Sequence, residues 1–163
     1  MYNKTMRVLA IDPGYERLGI AVLDKQKAGE RKPVLVFSTC FQTSAKDSHS
    51  RRLAQIHSEI EKILEEYSPT HLGIETLFFS KNVKTAIKVA EARGIILALA
   101  EIYNLQTTEL SPQQIKIAVT GYGNSDKSAV IKMVPLLIEI KNKIKFDDEF
   151  DAIATGLCVL AHN

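Results

Sequence analysis

The 163-residue sequence contains little of what marks the more specialised classes of protein. It has two cysteines and no tryptophan, and no internal repeat, low-complexity segment or linker divides it. Cys40 and Cys158 lie in apolar stretches without CxxC spacing or a neighbouring histidine cluster. A structural zinc site and a disulfide framework are therefore not expected. The length fits one domain, which we expect to span residues 1–163.

Long hydrophobic runs are also missing. The apolar run after Met6 meets Asp12 after a few residues, which is too soon for the core of a signal peptide. The longest uncharged apolar stretch, around residues 94–100, is far too short to cross a bilayer. We therefore expect a soluble, cytoplasmic protein with no membrane partner.

A strong excess of one charge is absent, because the net charge is only +2 at pH 7. The total therefore does not indicate a nucleic-acid binder. Between residues 81 and 132, however, seven basic residues stand against four acidic ones. That local excess is compatible with a DNA-facing surface, although most surface lysines serve only solubility.

Apolar periodicity and turn residues predict the order of the secondary structure. Strands are predicted at residues 7–11, 19–23, 33–41, 71–75 and 105–109. Helices are predicted at 49–67 and 81–103, from Pro112 behind a capping box formed by Ser111 and Gln114, from 126 with a disturbance at Pro135, and from about 147 to the end. This order predicts an α/β protein whose mixed five-stranded sheet has its first three strands antiparallel and is flanked by helices.

Two acidic residues directly follow predicted strands. Asp12 comes after the first strand and Glu75 ends the fourth. If these strands are parallel neighbours, both carboxylates emerge at the same edge of the sheet, where ligands of α/β proteins gather. Asp148 and Asp151 are three residues apart and share a face at the start of the last helix. Asp147, four residues before Asp151, competes with Asp148 for that role.

Four convergent carboxylates repel one another unless their pKa values rise or cations bind. Ligand sets made of oxygen suit a hard ion such as Mg²⁺ or Mn²⁺. Two such ions can activate a water and stabilise the leaving oxygen of a phosphodiester. Ordinary roles compete with this hypothesis, since Asp12-Pro13-Gly14 has turn chemistry and acidic residues commonly open helices.

Four ordered segments give the chain a specific resemblance. They read VLAIDPGYERLGIAVLD, GIETLFFSKNVKTAIKVAEARG, SPQQIKIAVTGYGNSDKSAV and DDEFDAIATGL. In this order they resemble the RuvC family of bacterial Holliday junction resolvases. The resemblance implies a ribonuclease-H-like fold and a catalytic, metal-binding set made of Asp12, Glu75, Asp148 and Asp151. It also implies two Mg²⁺ per active site, with Mn²⁺ as a substitute, and no nucleotide cofactor.

The family works as a homodimer that nicks two opposite strands of four-way junction DNA, and the resemblance allows a branch-migration helicase complex as a further partner. The spacing of small residues in the helix predicted at 81–103 permits close packing at a dimer interface, but core packing explains that spacing equally well. By resemblance, Phe78 would stack on an unpaired base. The basic residues expected near the DNA are Lys81, Lys84, Arg93, Lys116 and Lys127.

The mechanism that the resemblance implies is an in-line attack by a water that the four carboxylates and two ions orient. It would leave a 5′-phosphate and a 3′-hydroxyl. The alternatives are another ribonuclease-H-like nuclease acting on structured RNA and a non-catalytic junction-binding module. An actin-like ATPase is excluded because it needs two such halves, and this chain is too short for them.

Overall fold

A computed structural model describes residues 6–25, 29, 32–77 and 83–162. Five strands form one mixed sheet in the order β3-β2-β1-β4-β5. Their bounds are β1 Arg7–Asp12, β2 Arg17–Asp24, β3 Val34–Gln42, β4 His71–Glu75 and β5 Gln106–Leu110. The pairs β1–β2 and β2–β3 are antiparallel, whereas β1–β4 and β4–β5 are parallel. The predicted mixed sheet with three antiparallel leading strands is confirmed.

Helices cover both faces of this sheet. They are α1 His49–Tyr67, α2 Val83–Ile102, α3 Pro112–Thr120, α4 Lys127–Leu137 and α5 Asp147–His162. Side chains of α1 and α2 form one hydrophobic core with one face of the sheet, and α3, α4 and α5 form a second core with the other face. None of the helices in the described part of the chain has the length and apolar character needed to cross a membrane.

Local sequence signals account for the helix boundaries. Ser48 caps the start of α1, and Ser68 adopts a left-handed backbone directly before Pro69 and ends it. The capping box predicted at Ser111 and Gln114 is present at the start of α3. Helix α4 continues through Pro135 and ends two residues later, at Leu137. A proline lacks the backbone N–H that bonds to the preceding turn, so its place near the end of the helix costs few of the helix's hydrogen bonds.

The topology brings the ends of β1 and β4 together. These strands are hydrogen-bonded neighbours in parallel register, with Ile11 opposite Ile74. Asp12 and Glu75 follow these two residues and therefore leave the sheet at the same edge. Helix α5 crosses β1 and β2 on one face, packing through small residues, and its first turn lies at this edge. The arrangement expected from the sequence is thus realised.

The second strand is longer than predicted. It begins at Arg17 rather than Gly19, because Arg17 and Leu18 pair with Gln42 and Phe41 of β3 before pairing with β1 starts. As a consequence, the side chain of Arg17 reaches the same edge of the sheet as Asp12. The sequence pattern gave no sign of this extension, since a charged residue followed by one leucine does not predict a strand.

Candidate active site

The first turn of α5 packs with its backbone directly against β2, the strand that pairs with β1 at Asp12. Gly19 of β2 is paired with Asp12 across the sheet. A Cβ atom built on Gly19 would lie 2.1 Å from the carbonyl oxygen of Asp148 and 3.1 Å from the Cβ of Asp12. Glycine at position 19 therefore permits the close approach that places the first turn of α5 beside the end of β1.

The first turn of α5 is held by a buried carboxylate. The Glu149 side chain is 5% exposed. Its Oε1 accepts hydrogen bonds from the backbone N–H groups of Lys145 and Phe146, both at 3.1 Å, and its Oε2 accepts one from Ser38 at 2.6 Å. These bonds cap the helix and fix its orientation. Sequence reasoning did not single out Glu149, although its place three residues into the acidic start of α5 is a capping signal.

Electrostatics show that the four predicted carboxylates converge. The pKa of Asp12 is raised to about 8, first because the group is buried and then because the carboxylates of Asp151, Glu75 and Asp148 repel its charge. Burial, followed by the charge of Asp151, raises the pKa of Glu75. Burial is also the largest cause that raises the pKa of Asp151. The site thus has more negative charge than it can hold without protons or cations.

The structure distinguishes the two adjacent aspartates at the start of α5. Asp148 is among the groups that raise the pKa of Asp12, and Asp147 is not. The Asp147 side chain is 65% exposed, whereas that of Asp148 is 22% exposed. Burial and electrostatic coupling to Asp12 both favour Asp148 as the member of the cluster.

Two lysines of the predicted set lie at the acidic cluster. The Nζ of Lys127 is 3.0 Å from the Asp151 carboxylate and 3.9 Å from that of Asp147. The charge of Lys116 lowers the pKa of Glu75 against the effects that raise it. A cleft of about 210 Å³ is bordered by both lysines together with Glu75 and Asp151. This cleft places cations beside the carboxylates, and lysine side chains form strong charged hydrogen bonds with phosphate groups.

Sequence reasoning missed two further groups at the site. The Nη2 of Arg17 lies 2.6 Å from the Asp148 carboxylate, and its guanidinium stacks over the ring of Phe146 at 5.2 Å. The thiol of Cys40 donates a hydrogen bond to Asp148 at 3.6 Å. Asp148 is therefore oriented by β2 and β3 as well as by its own helix. The available signal was the position of Arg17, five residues after Asp12.

Across residues 6–25, 29, 32–77 and 83–162, no three acidic, histidine or cysteine side chains are arranged as a set of metal ligands. The ion pairs of Asp148 with Arg17 and of Asp151 with Lys127 account for the orientation of two of the four carboxylates. The donor set nevertheless has the chemistry that hard divalent ions require, because it consists of carboxylate oxygens around a partly buried aspartate whose pKa is raised.

The remaining predicted DNA contacts differ in their placement. Phe78 and Lys81 lie outside the described residues. Lys84 is exposed in the first turn of α2. Arg93 is largely buried, pairs with the carboxylate of Glu109 and donates to the backbone carbonyl of Glu75 at 3.2 Å. Its guanidinium thus holds the end of β4, and the phosphate contact expected for Arg93 stays a prediction.

The raised pKa of Asp12 predicts how stability depends on pH when divalent ions are chelated. Between about pH 4 and pH 8 the folded state holds a proton on Asp12 that the unfolded chain has released. The free energy of unfolding is therefore expected to fall as pH rises through this range. Urea unfolding in EDTA at several pH values measures it. The Asp12→Asn variant should show a weaker pH dependence, and a wild-type stability that rises from pH 5 to pH 8 would contradict the expectation.

Comparison with known proteins places this chain in a family. The family profile described as crossover junction endodeoxyribonuclease RuvC matches residues 8–159. A protein of that name from Thermosipho melanesiensis is 42% identical over 154 residues, which cover 94% of this chain and 96% of the relative.

Solved structures agree with the sequence comparison. The structure of Thermus thermophilus RuvC superimposes with a TM-score of 0.86 at 28% identity, covering 96% of this chain and 95% of that one. A second structure, T. thermophilus RuvC in complex with Holliday junction substrate, gives a TM-score of 0.85 at 29% identity, covering 94% and 92%. The resemblance expected from the four sequence segments is confirmed: with its ribonuclease-H-like fold, the chain belongs to the RuvC family of crossover junction endodeoxyribonucleases.

Proposed function

We propose that this chain cuts four-way (Holliday) junction DNA through a site formed by Asp12, Glu75, Asp148 and Asp151. The observation that carries the proposal is the electrostatic coupling of Asp12 to the other three carboxylates at one edge of the sheet. Family membership supports the reaction class. A structurally similar relative, T. thermophilus RuvC, has been solved in complex with a Holliday junction substrate, which supports the choice of DNA.

We further propose Mg²⁺ as the cofactor, with two ions per site and Mn²⁺ as a substitute. The four carboxylates would hold the ions, since oxygen ligands suit hard cations and a bound cation would offset the burial and the repulsion that raise the pKa of Asp12. When bound, such ions supply an activated water and charge stabilisation for in-line cleavage of a phosphodiester. The products would carry a 5′-phosphate and a 3′-hydroxyl.

The basic side chains around the cluster have distinct roles in this proposal. Lys127 lies against Asp151 and can turn its charge to a phosphate that enters the neighbouring cleft. Lys116 borders the same cleft and favours the ionised form of Glu75. Arg17 holds Asp148 in place through its ion pair. By resemblance, Phe78 would stack on a base at the crossover, while Lys81 and Lys84 would contact phosphates.

A homodimer is the proposed assembly, and the outer face of α2 is its proposed interface. The inner face of this helix is buried through Ala92, Ile96, Leu99 and Ala100. Its outer face carries further apolar side chains, with Val83 61%, Ile87 51% and Ile102 68% exposed. A helix that is apolar on both sides indicates a second partner. The small residues between these side chains are mostly exposed, although the sequence pattern alone was equally compatible with core packing. A second copy of the chain would allow two active sites to act on opposite strands of the junction.

Replacing Ile87 with glutamate is expected to convert the dimer to a monomer, because it buries a charge in the proposed interface. Sedimentation of the variant should give about half the mass of the wild type. Paired nicking of both strands within one binding event should be lost. The matched control is Ile117→Glu on α3, where the parent side chain is 50% exposed. A dimeric Ile87→Glu variant would contradict the interface.

Cleavage of a synthetic mobile four-way junction, mapped on all four strands with Mg²⁺ and with EDTA, tests the function directly. We expect symmetric nicks on two opposite strands that require the ion. Duplex DNA and structured RNA of matched sequence are the controls. Preferential cutting of RNA would favour the other ribonuclease-H-like activity, and binding without cutting would favour a non-catalytic module. We also propose that a branch-migration helicase complex can act as a partner of this chain, and that the chain acts in the cytoplasm.

A further inference from the structure

A second groove lies next to the acidic cluster, along the outer edge of β3. It has a volume of about 370 Å³ and is partly open to solvent. We call it the β3-edge groove and define it by Ser38, Cys40, Lys143, Lys145, Phe146 and Glu149, which are among its lining residues. No part of the mechanism proposed above uses its two lysines.

The segment 139–146, which contributes Lys143, Lys145 and Phe146 to the outer wall of the groove, is held in place at both ends. Leu35 donates its backbone N–H to the carbonyl of Glu139 at 3.0 Å, and Glu139 donates to the carbonyl of Pro33 at 2.9 Å. At the other end of the wall, the backbone N–H groups of Lys145 and Phe146 donate to Glu149. The groove is therefore formed before any ligand binds, which lowers the entropic cost of binding.

The charge of the groove is positive where a ligand can reach it. Lys143 and Lys145 are exposed, and within the described ranges neither has an acidic partner at salt-bridge distance. Glu149 is the acidic residue of the lining, and its carboxylate is buried and bonded to Ser38 and to backbone N–H groups. The two free cations therefore favour an anionic ligand with more than one charge.

The groove is continuous with the acidic cluster. Cys40, in its lining, donates to the carboxylate of Asp148. Phe146, also in its lining, lies under the guanidinium of Arg17, which pairs with the same carboxylate. A polymer with regularly spaced negative charges can therefore pass from the cluster into the groove without leaving the surface.

We propose that the β3-edge groove binds the sugar-phosphate backbone of the DNA strand beside the cleaved bond, with Lys143 and Lys145 contacting phosphates. This inference rests on the proposed junction-cutting function and adds a binding site that shares no lining residue with the cleft bordered by Lys116 and Lys127. Contacts to phosphates fix the position of the protein on the DNA without reading its sequence.

The test measures binding of a labelled four-way junction by fluorescence anisotropy, in an Asp12→Asn background that prevents cutting, between about 50 and 200 mM salt. Loss of one phosphate contact is expected to reduce the slope of log affinity against log salt by about 0.9, which corresponds to about 8-fold weaker binding at 0.1 M salt. We expect this change for Lys143→Ala and for Lys145→Ala, and about twice the change in slope for the double variant.

The matched control is Lys62→Ala, since Lys62 is exposed on α1, whose core lies on the other face of the sheet. Lys143→Arg and Lys145→Arg should keep the wild-type slope, and thermal unfolding checks that each variant is folded. Lysine variants that behave like Lys62→Ala would overturn the groove while leaving the proposed function intact. Absence of junction binding in the Asp12→Asn parent itself would instead count against the proposed function.

Discussion

Replacing Asp12 with asparagine is expected to reduce junction cleavage at least about 10³-fold while leaving junction binding in place. Asparagine has the same shape but cannot ionise, so the cluster loses a carboxylate that a bound cation would hold in its charged form. Metal ions contribute several kcal/mol to stabilising the transition state of such reactions, and each 1.36 kcal/mol corresponds to a factor of ten in rate. Single-turnover cleavage with Mg²⁺, together with a separate binding measurement, checks both parts of this expectation.

The neighbouring aspartates of α5 provide a matched control for that experiment. Asp147→Asn makes the same chemical change at a side chain that is 65% exposed and absent from the groups coupled to Asp12. It should retain cleavage within about tenfold of the wild type, whereas Asp148→Asn should follow Asp12→Asn. The reverse result would make Asp147 the ligand, and normal cleavage by Asp12→Asn would show that the assigned site is wrong.

Replacing Gly19 with alanine is expected to destabilise the protein by about 3 kcal/mol and to slow cleavage about 100-fold. The added methyl group would lie 2.1 Å from the backbone oxygen of Asp148. Because this atom belongs to a capped helix start, relief of the clash requires α5 to move away from β2. Such a shift of about 1 Å moves Asp148 relative to Asp12. Urea unfolding and single-turnover cleavage measure the two effects.

Gly123→Ala is the matched control for Gly19→Ala. Its added Cβ would meet the Cγ of Gln113 at 2.7 Å, but Gln113 is an exposed side chain that can turn away. We expect its free energy of unfolding to stay within about 0.5 kcal/mol of the wild type. Equal losses for the two variants would contradict the argument that the helix backbone at Asp148 is the constraint.

The placement of Asp12 and Glu75 was predictable because it depends on local patterns and one topological rule. Each residue directly follows an apolar, β-branched run, and parallel neighbouring strands end at one edge of a sheet. The capping box at Ser111 and the stop at Pro69 were predictable for the same reason, since each depends on residues within a few positions. The bounds of the strands were less certain, and β2 proved to be two residues longer at its start.

The partners of Arg17, Arg93 and Glu149 were not predictable from the sequence. Arg93 pairs with a residue 16 positions away, and Glu149 accepts from Ser38, 111 positions away. A charged residue in a sequence can be a solvated surface group, a cap or an ion-pair partner. Which of these roles applies depends on atoms that approach it from other elements.

Short stretches of sequence were enough to identify the side chains that could do chemistry, the order of the strands and helices, and the family, because apolar periodicity, turn residues and motif spacing are local properties. Three features came only from the folded chain: Asp148 rather than Asp147 couples to Asp12, Arg17 pairs with Asp148, and the outer face of α2 is exposed. These features depend on burial and on distances between segments far apart in the chain, and both exist only once the helices have packed against the sheet.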